Sequence, residues 1–372
     1  MGRLASQDES LIPLGTCVGE QDRNEPFELD PAWFTRGCLI VGKPGTGKSH
    51  DVELIAKHLG ETGTAVVVLD RTGEHARSLA SLGCCTVYTP GANLHLSLIS
   101  ADRGWGTDEA IEGTIDTVSH YVRTSFDDGE PLSFLQQRIL GGSLEAVYRD
   151  LFAATKPVTV SRLISSVEEY KDRQDFHGLA ESRESIVSRL RPLTVGAAKR
   201  VFDSEDATPF ETFFGPGIHV VDLSAFRFEH PKDLVSHVLI KRLYHMAKEK
   251  GPVDHLRQLL VIDEAHHVAP DKGSYKSYLD SMAMENRKYG QGVLVATTSP
   301  SQLSRWLLKN VSVRICHLLD DGEDIDLMLR FMVNQYEKAS FYSFFMELGI
   351  GEAMVRVSTP RQVASTRVRI SE

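Results

Sequence analysis

Short apolar runs and amphipathic stretches alternate along much of the chain. Cys38–Val41, Ala65–Leu69 and Thr86–Tyr88 read as strands, and His50–Leu59 puts Val52, Ile55, Ala56 and Leu59 on one helical face before closing at Gly60. Strands alternating with helices predict a parallel α/β sheet. From about residue 101 to residue 212 the pattern changes: Ile111–Val122, Phe134–Leu151, Val160–Tyr170 and Leu179–Leu190 are helix-like, with few strand signals between them. The strand pattern then resumes at Ile218–Val221, Leu259–Ile262, Val293–Ala296 and Val313–Ile315, with amphipathic Leu234–Met246 between the first two. The opening 36 residues are polar and punctuated by Pro and Gly, with strand-like pieces at Leu11–Gly15 and Pro26–Leu29. The expected organisation is a short N-terminal segment, 1–36, and a single α/β core, 37–372, interrupted by a helical insertion at about 101–212. No internal repeat or low-complexity segment is visible.

Composition narrows the class without naming a function. The chain has 372 residues, 41% hydrophobic and 25% charged, which is ordinary for a globular protein and far from a disordered one. Its apolar runs are too short to span a bilayer and no signal peptide opens it, so a cytoplasmic protein without membrane insertion is expected. The 41 Lys+Arg against 51 Asp+Glu give a net charge of −10, which argues against a uniformly basic surface but leaves room for a local basic channel. The five cysteines show no metal or disulfide spacing and fit a reducing compartment. The myristoylation-like start, Met1 to Ser6, lacks a polybasic patch, and the sequon Asn310-Val311-Ser312 has no meaning in a chain that is not secreted.

Chemistry enters at Gly42-Lys43-Pro44-Gly45-Thr46-Gly47-Lys48-Ser49, a complete G-x-x-x-x-G-K-[ST] P-loop between a strand and a helix, with His50 following. Glycines let the backbone curl so that its N–H groups point at phosphate oxygens, and the helix N-terminus adds partial positive charge. Lys48 supplies a point charge for the β- and γ-phosphates and Ser49 a hydroxyl for Mg²⁺, so the expected ligands are ATP and Mg²⁺. A second run, Gln258–Ile262, ends in adjacent Asp263 and Glu264, where α/β sheets place ligands. Asp263 is the candidate for holding Mg²⁺ and Glu264 for polarising the attacking water, which makes hydrolysis the expected reaction.

With these pieces in place, the chain resembles the HerA/FtsK-like motor ATPases, in particular the central domain of HerA and its VirB4-like relatives. The likeness rests on Leu39–Ser49, Asp70-Arg71-Thr72-Gly73-Glu74, Leu190-Arg191-Pro192-Leu193 with Val201-Phe202, Val220–Ser224, Val261–His266, Asn286-Arg287-Lys288-Tyr289-Gly290 and Gly351-Glu352-Ala353, in the family's order. The resemblance implies a RecA-like P-loop core and a homo-oligomeric ring, usually hexameric, with nucleotide at each interface and double-stranded DNA in the pore. It marks Arg287 as an arginine supplied to the neighbour's γ-phosphate; read alone, Arg287 is a solvated helix-end charge. Asp70 lies near the nucleotide or caps a turn, and Glu74 couples sites of the ring or sits on a solvated helix start.

Two departures from the family stand out. Thr298 occupies the slot of a phosphate-sensing Gln, and its shorter hydroxyl reaches phosphate through water or not at all. The N-terminal β-barrel of full-length HerA is also absent from the pattern. Pore candidates are Lys272, Lys276, Arg305 and Lys309, each also explicable as solvated surface; no interleaving of basic and aromatic residues suggests base readout. The function expected is a sequence-independent DNA translocase or helicase working with a nuclease or a packaging or transfer apparatus. The alternatives are a VirB4-like ATPase that energises protein or DNA transfer and a non-motor scaffold ring.

Overall fold

The computed structural model describes residues 11–18, 24–98, 107–125, 132–154, 159–172, 177–204, 207–271, 276–333, 342, 345–359 and 362–371. The chain divides into two compact units, one formed by Met1–Val87, Phe210–Ser224 and Ile240–Glu372, the other by Tyr88–Pro209 and Ala225–Leu239.

The first unit is built on a mixed sheet. In chain order its strands are β1 (Ile12–Cys17), β2 (Pro26–Leu29), β3 (Cys38–Val41), β4 (Ala65–Asp70), β5 (Cys85–Tyr88), β6 (Gly217–Asp222), β7 (Gln258–Ile262), β8 (Gln291–Thr297), β9 (Val313–Cys316), β10 (Glu352–Thr359) and β11 (Gln362–Ile370). They lie in the order β2-β1-β11-β10-β9-β3-β8-β7-β4-β6-β5. The centre is parallel, β9 with β3, β3 with β8, β8 with β7, β7 with β4 and β4 with β6. These strands read as unbroken apolar runs because both faces are covered: Val66, Val68, Leu259 and Val261 on one face and Val67, Leu69, Leu260 and Ile262 on the other are all fully buried. The other side of the sheet is antiparallel, with β10 on β9, β11 on β10, β1 on β11 and β2 on β1. The segment before residue 37 therefore contributes two strands to the sheet.

Helices follow the strands: α1 (Lys48–Glu61), α2 (Glu74–Leu79), α3 (Thr107–Ser125), α4 (Phe134–Ala154), α5 (Val160–Glu169), α6 (Leu179–Leu190), α7 (Gly196–Phe202), α8 (Glu229–Glu249), α9 (Tyr278–Glu285), α10 (Arg305–Asn310) and α11 (Gly322–Met332). In α1 the face read from sequence, Val52, Ile55, Ala56 and Leu59, is fully buried in the core of the first unit. The second unit is helical among its described residues. Its core gathers Val118 and Val122 of α3, Ile139, Leu140 and Leu144 of α4, Leu163 and Val167 of α5, and Ile186 and Leu190 of α6. Thr159 caps α5 by accepting the Arg162 N–H at 3.2 Å. Among the described residues, no helix is long and apolar enough to cross a membrane.

Candidate nucleotide site

The P-loop joins the C-terminal end of β3 to the first turn of α1, at the edge of the parallel sheet where loops from neighbouring strands converge. Two of its glycines are required. Gly47 has φ +119°, a conformation closed to other residues, and a Cβ on Gly42 would stand 2.6 Å from the Cβ of His317. The loop is pinned at both ends: Lys43 N–H donates to Leu318 O at 2.9 Å, and Thr46 O accepts from Gly351 N–H at 3.3 Å. Thr46 Oγ1 and Lys48 Nζ both donate to Lys43 O, at 2.8 and 3.2 Å, so the lysine folds back over the cradle. Burial pulls the Lys48 ammonium below its ordinary pKa, against the opposing charges of Glu264, Asp263 and Glu74. Pro44 and Gly45 are exposed at the tip of the loop, and exposed His50 faces Ser371 O at 2.7 Å.

The carboxylates stand beside this loop. β7 delivers buried Asp263, whose pKa burial raises while His75 opposes the shift. Glu264 has φ +49° and ψ +50°; among the described residues, it and Asn24 are the non-glycine residues with positive φ. Held left-handed backbone of this kind clusters at functional sites. The Glu264 carboxylate accepts from Thr298 Oγ1 at 3.3 Å, and His266 Nδ1 stands 3.3 Å from the same oxygen. His266 Nδ1 also lies 3.0 Å from Thr297 Oγ1. Burial, reinforced by His267, holds the imidazole of His266 below its ordinary pKa, although Glu264 opposes this.

Glu74 and Asp70 are both resolved. Ser49 Oγ donates to Glu74 Oε2 at 3.2 Å, so Glu74 faces the nucleotide site from the start of α2. Asp70 is a cap: its carboxylate accepts Thr72 N–H at 3.1 Å, Gly73 N–H at 2.8 Å and Ala76 N–H at 2.8 Å. The residues missed in the sequence are second-layer ones. Fully buried His75 reaches Glu53 Oε1 at 3.0 Å and faces Asp263 Oδ2 at 3.8 Å. Burial disfavours its charged form, but the Glu53 hydrogen bond and the charges of Asp263 and Asp70 outweigh that and raise its pKa. Beneath the P-loop, fully buried Asp51 and His317 meet at 2.9 Å, and His317 Nδ1 lies 3.1 Å from Glu352 O. Asp51→Ala leaves His317 short of a partner, and a loss of about 1–3 kcal/mol is expected in urea unfolding. An unchanged midpoint would show that the pair is not structural.

The oxygen donors suit the cation that a P-loop nucleotide brings. Mg²⁺ takes one or two protein oxygens and completes its shell with phosphates and water. Ser49 Oγ and the Asp263 carboxylate are oxygen donors of that kind, whereas no group of three or more His, Cys, Asp or Glu among the described residues could hold a metal by itself.

Arg287 is elsewhere. It is exposed in a 3₁₀ turn, Asn286–Tyr289, that leads into the N-terminal end of β8. The P-loop is at the C-terminal end of β3, whose Val41 pairs with Thr297 at the far end of β8. At 3.3 Å per residue that strand separates Arg287 from its own chain's loop by roughly 20 Å. Arg36 shares this edge, its pKa lowered by burial and by the charge of Arg287. A buried amide network fixes the turn. Asn286 Nδ2 donates to Tyr244 O at 3.2 Å and to Gln291 Oε1 at 2.5 Å, Gln291 Nε2 to Gln258 Oε1 at 2.6 Å, and Gln258 Nε2 to Phe213 O at 2.7 Å.

Of the pore candidates, Lys276 is exposed with its ammonium 4.3 Å from the centre of the Trp306 ring. Arg305 is tied to Asp271 by two contacts at 3.2 and 3.1 Å. Lys309 is exposed in the last turn of α10, and Lys272 lies outside the described residues.

Known proteins share the sequence pattern and the fold. The family model of the HerA helicase central domain matches residues 12–243. The DNA double-strand break repair helicase HerA of Sulfolobus acidocaldarius is 23% identical over 374 aligned positions, covering 95% of this chain and 69% of that protein. Among solved structures, VirB4 of Thermoanaerobacter pseudethanolicus superposes with a TM-score of 0.71 at 15% identity, covering 98% of each chain. The plasmid coupling protein TrwB in complex with ADP and Mg²⁺ gives a TM-score of 0.61 at 14% identity, covering 100% of this chain and 97% of that one. At such identities the solved structures speak for the fold alone. The family match spans more than half of the chain, over the same P-loop and the strands that carry it, and the chain belongs to the HerA helicase central-domain family of P-loop ATPases.

Proposed function

We propose that the chain is an ATP-driven motor that assembles as a homo-oligomeric ring, hexameric as in the resemblance, and moves along double-stranded DNA without reading sequence. The observation that carries this reading is the separation of the site into two edges. The P-loop, Asp263 and Glu264 stand at one end of the parallel strands, while exposed Arg287 stands at the other, fixed by buried amides. A group that far from its own loop serves a γ-phosphate only in the next copy. In this reading Lys48 bears on the β- and γ-phosphates, Glu264 polarises the attacking water and Arg287 meets charge developing on the neighbour's nucleotide. Ser49 and Asp263 would hold Mg²⁺, which would offset phosphate charge.

The names of the curated relatives support DNA as the track. Phosphate contacts of that kind are salt-sensitive and indifferent to sequence. Duplex DNA is expected to raise ATP hydrolysis several-fold at low salt, equally for unrelated sequences, with the stimulation fading as salt rises. Hydrolysis that ignores duplex DNA at low salt would remove DNA from the reading and leave a ring ATPase acting on something else.

A further inference from the structure

Thr298 stands where the resemblance places a phosphate-sensing Gln, and its hydroxyl is engaged elsewhere. Its Oγ1 donates to Glu264 Oε2 at 3.3 Å. His266 Nδ1 lies 3.3 Å from that same oxygen, while Thr297 Oγ1, 3.0 Å from His266 Nδ1, steadies the ring. Thr297 Oγ1 is itself anchored by accepting Ser299 N–H at 3.1 Å. Lys48 Nζ donates to Lys43 O. The end of β8 thus holds one oxygen of the Glu264 carboxylate. The left-handed backbone of Glu264 aims the side chain there, and such a backbone persists only where its surroundings hold it.

A carboxylate that activates water needs a free lone pair directed at that water. One Glu264 oxygen is already committed to Thr298 Oγ1, with His266 Nδ1 beside it. We propose that Thr298 is a positioning residue that holds Glu264 in an idle orientation. The slot that senses phosphate in the resemblance then restrains the catalytic carboxylate here and sets the rate of hydrolysis without DNA. This rests on the reading of Glu264 as the group that polarises water. A threonine suits the task because its hydroxyl sits on a short, stiff side chain, able to hold a neighbouring carboxylate but not to follow a phosphate.

The test is steady-state ATP hydrolysis by the full chain, with and without duplex DNA, for Thr298→Val, Thr298→Ser and Glu264→Gln. Thr298→Val keeps the shape and removes the donor. It is expected to raise kcat without DNA about fivefold, the equivalent of one net hydrogen bond, with KM for ATP within about twofold. The DNA-stimulated rate stays as it was, so the stimulation ratio shrinks. Thr298→Ser keeps the hydroxyl and the low basal rate. A Thr298→Val enzyme with raised KM, lowered kcat or an unchanged basal rate would overturn the proposal, the first because Thr298 would then contact phosphate. Near wild-type turnover by Glu264→Gln would instead defeat the reading of Glu264 itself, so the two failures are distinguishable.

Discussion

Glu264→Gln is expected to bind ATP about as well as the parent chain and to hydrolyse it at least ~10²-fold more slowly, the usual scale of a lost general base. Gln has the same shape, and its amide oxygen can still accept from Thr298 Oγ1, so the backbone of the turn after β7 has no reason to move. The P-loop is untouched, because Lys48 and Thr46 bond to Lys43 O rather than to Glu264. What disappears is a negative charge able to take a proton from water. Single-turnover hydrolysis measured beside nucleotide affinity separates the two effects. Equal losses of binding and turnover would mean that Glu264 supports the cradle rather than the chemistry.

Arg287→Ala is expected to lower turnover by about 10³-fold or more, within the range for an arginine donated to a neighbouring phosphoryl group. That corresponds to roughly 4 kcal/mol of barrier or more. The side chain is exposed, so folding stability should change by no more than about 0.5 kcal/mol. Lys at this position should recover little, since an ammonium lacks the planar fork of donors. In mixtures with the parent chain, the mutant should depress activity more than in proportion to its share, because one defective copy disables its neighbour's site. Strictly proportional loss would place the arginine's role within its own chain, which the roughly 20 Å length of β8 makes hard to satisfy.

The centre of the sheet and the two nucleotide motifs were legible because they are local. Each of β3, β4, β7 and β8 is an apolar run, and the P-loop is continuous in sequence. Periodicity likewise located α5 and α6, where apolar spacing alone sets the buried face. Pairings across long separations were not legible. β1 joins β11 about 350 residues on, a choice that no local pattern encodes. Likewise Asp51 finds His317 and Glu53 finds His75 only after the strands have aligned. For Glu74 the sequence left coupling and solvation open, and the hydrogen bond from Ser49 places it at the nucleotide site. Asp70 shows the converse: a strand-end carboxylate beside a P-loop strand is spent on the N–H groups of its own turn.

β7 has a consequence that reaches past any single site. Its first residue, Gln258, belongs to the amide network that fixes the arginine turn, and the residue after its last, Asp263, belongs to the nucleotide site. The four residues between them, Leu259–Ile262, are paired on both sides and make a bar that can tilt but not stretch. In the proposed ring each subunit would then act as a spacer of constant length between two successive nucleotides. Closing one site would swing the far end of the bar toward or away from the next, as a rocker does.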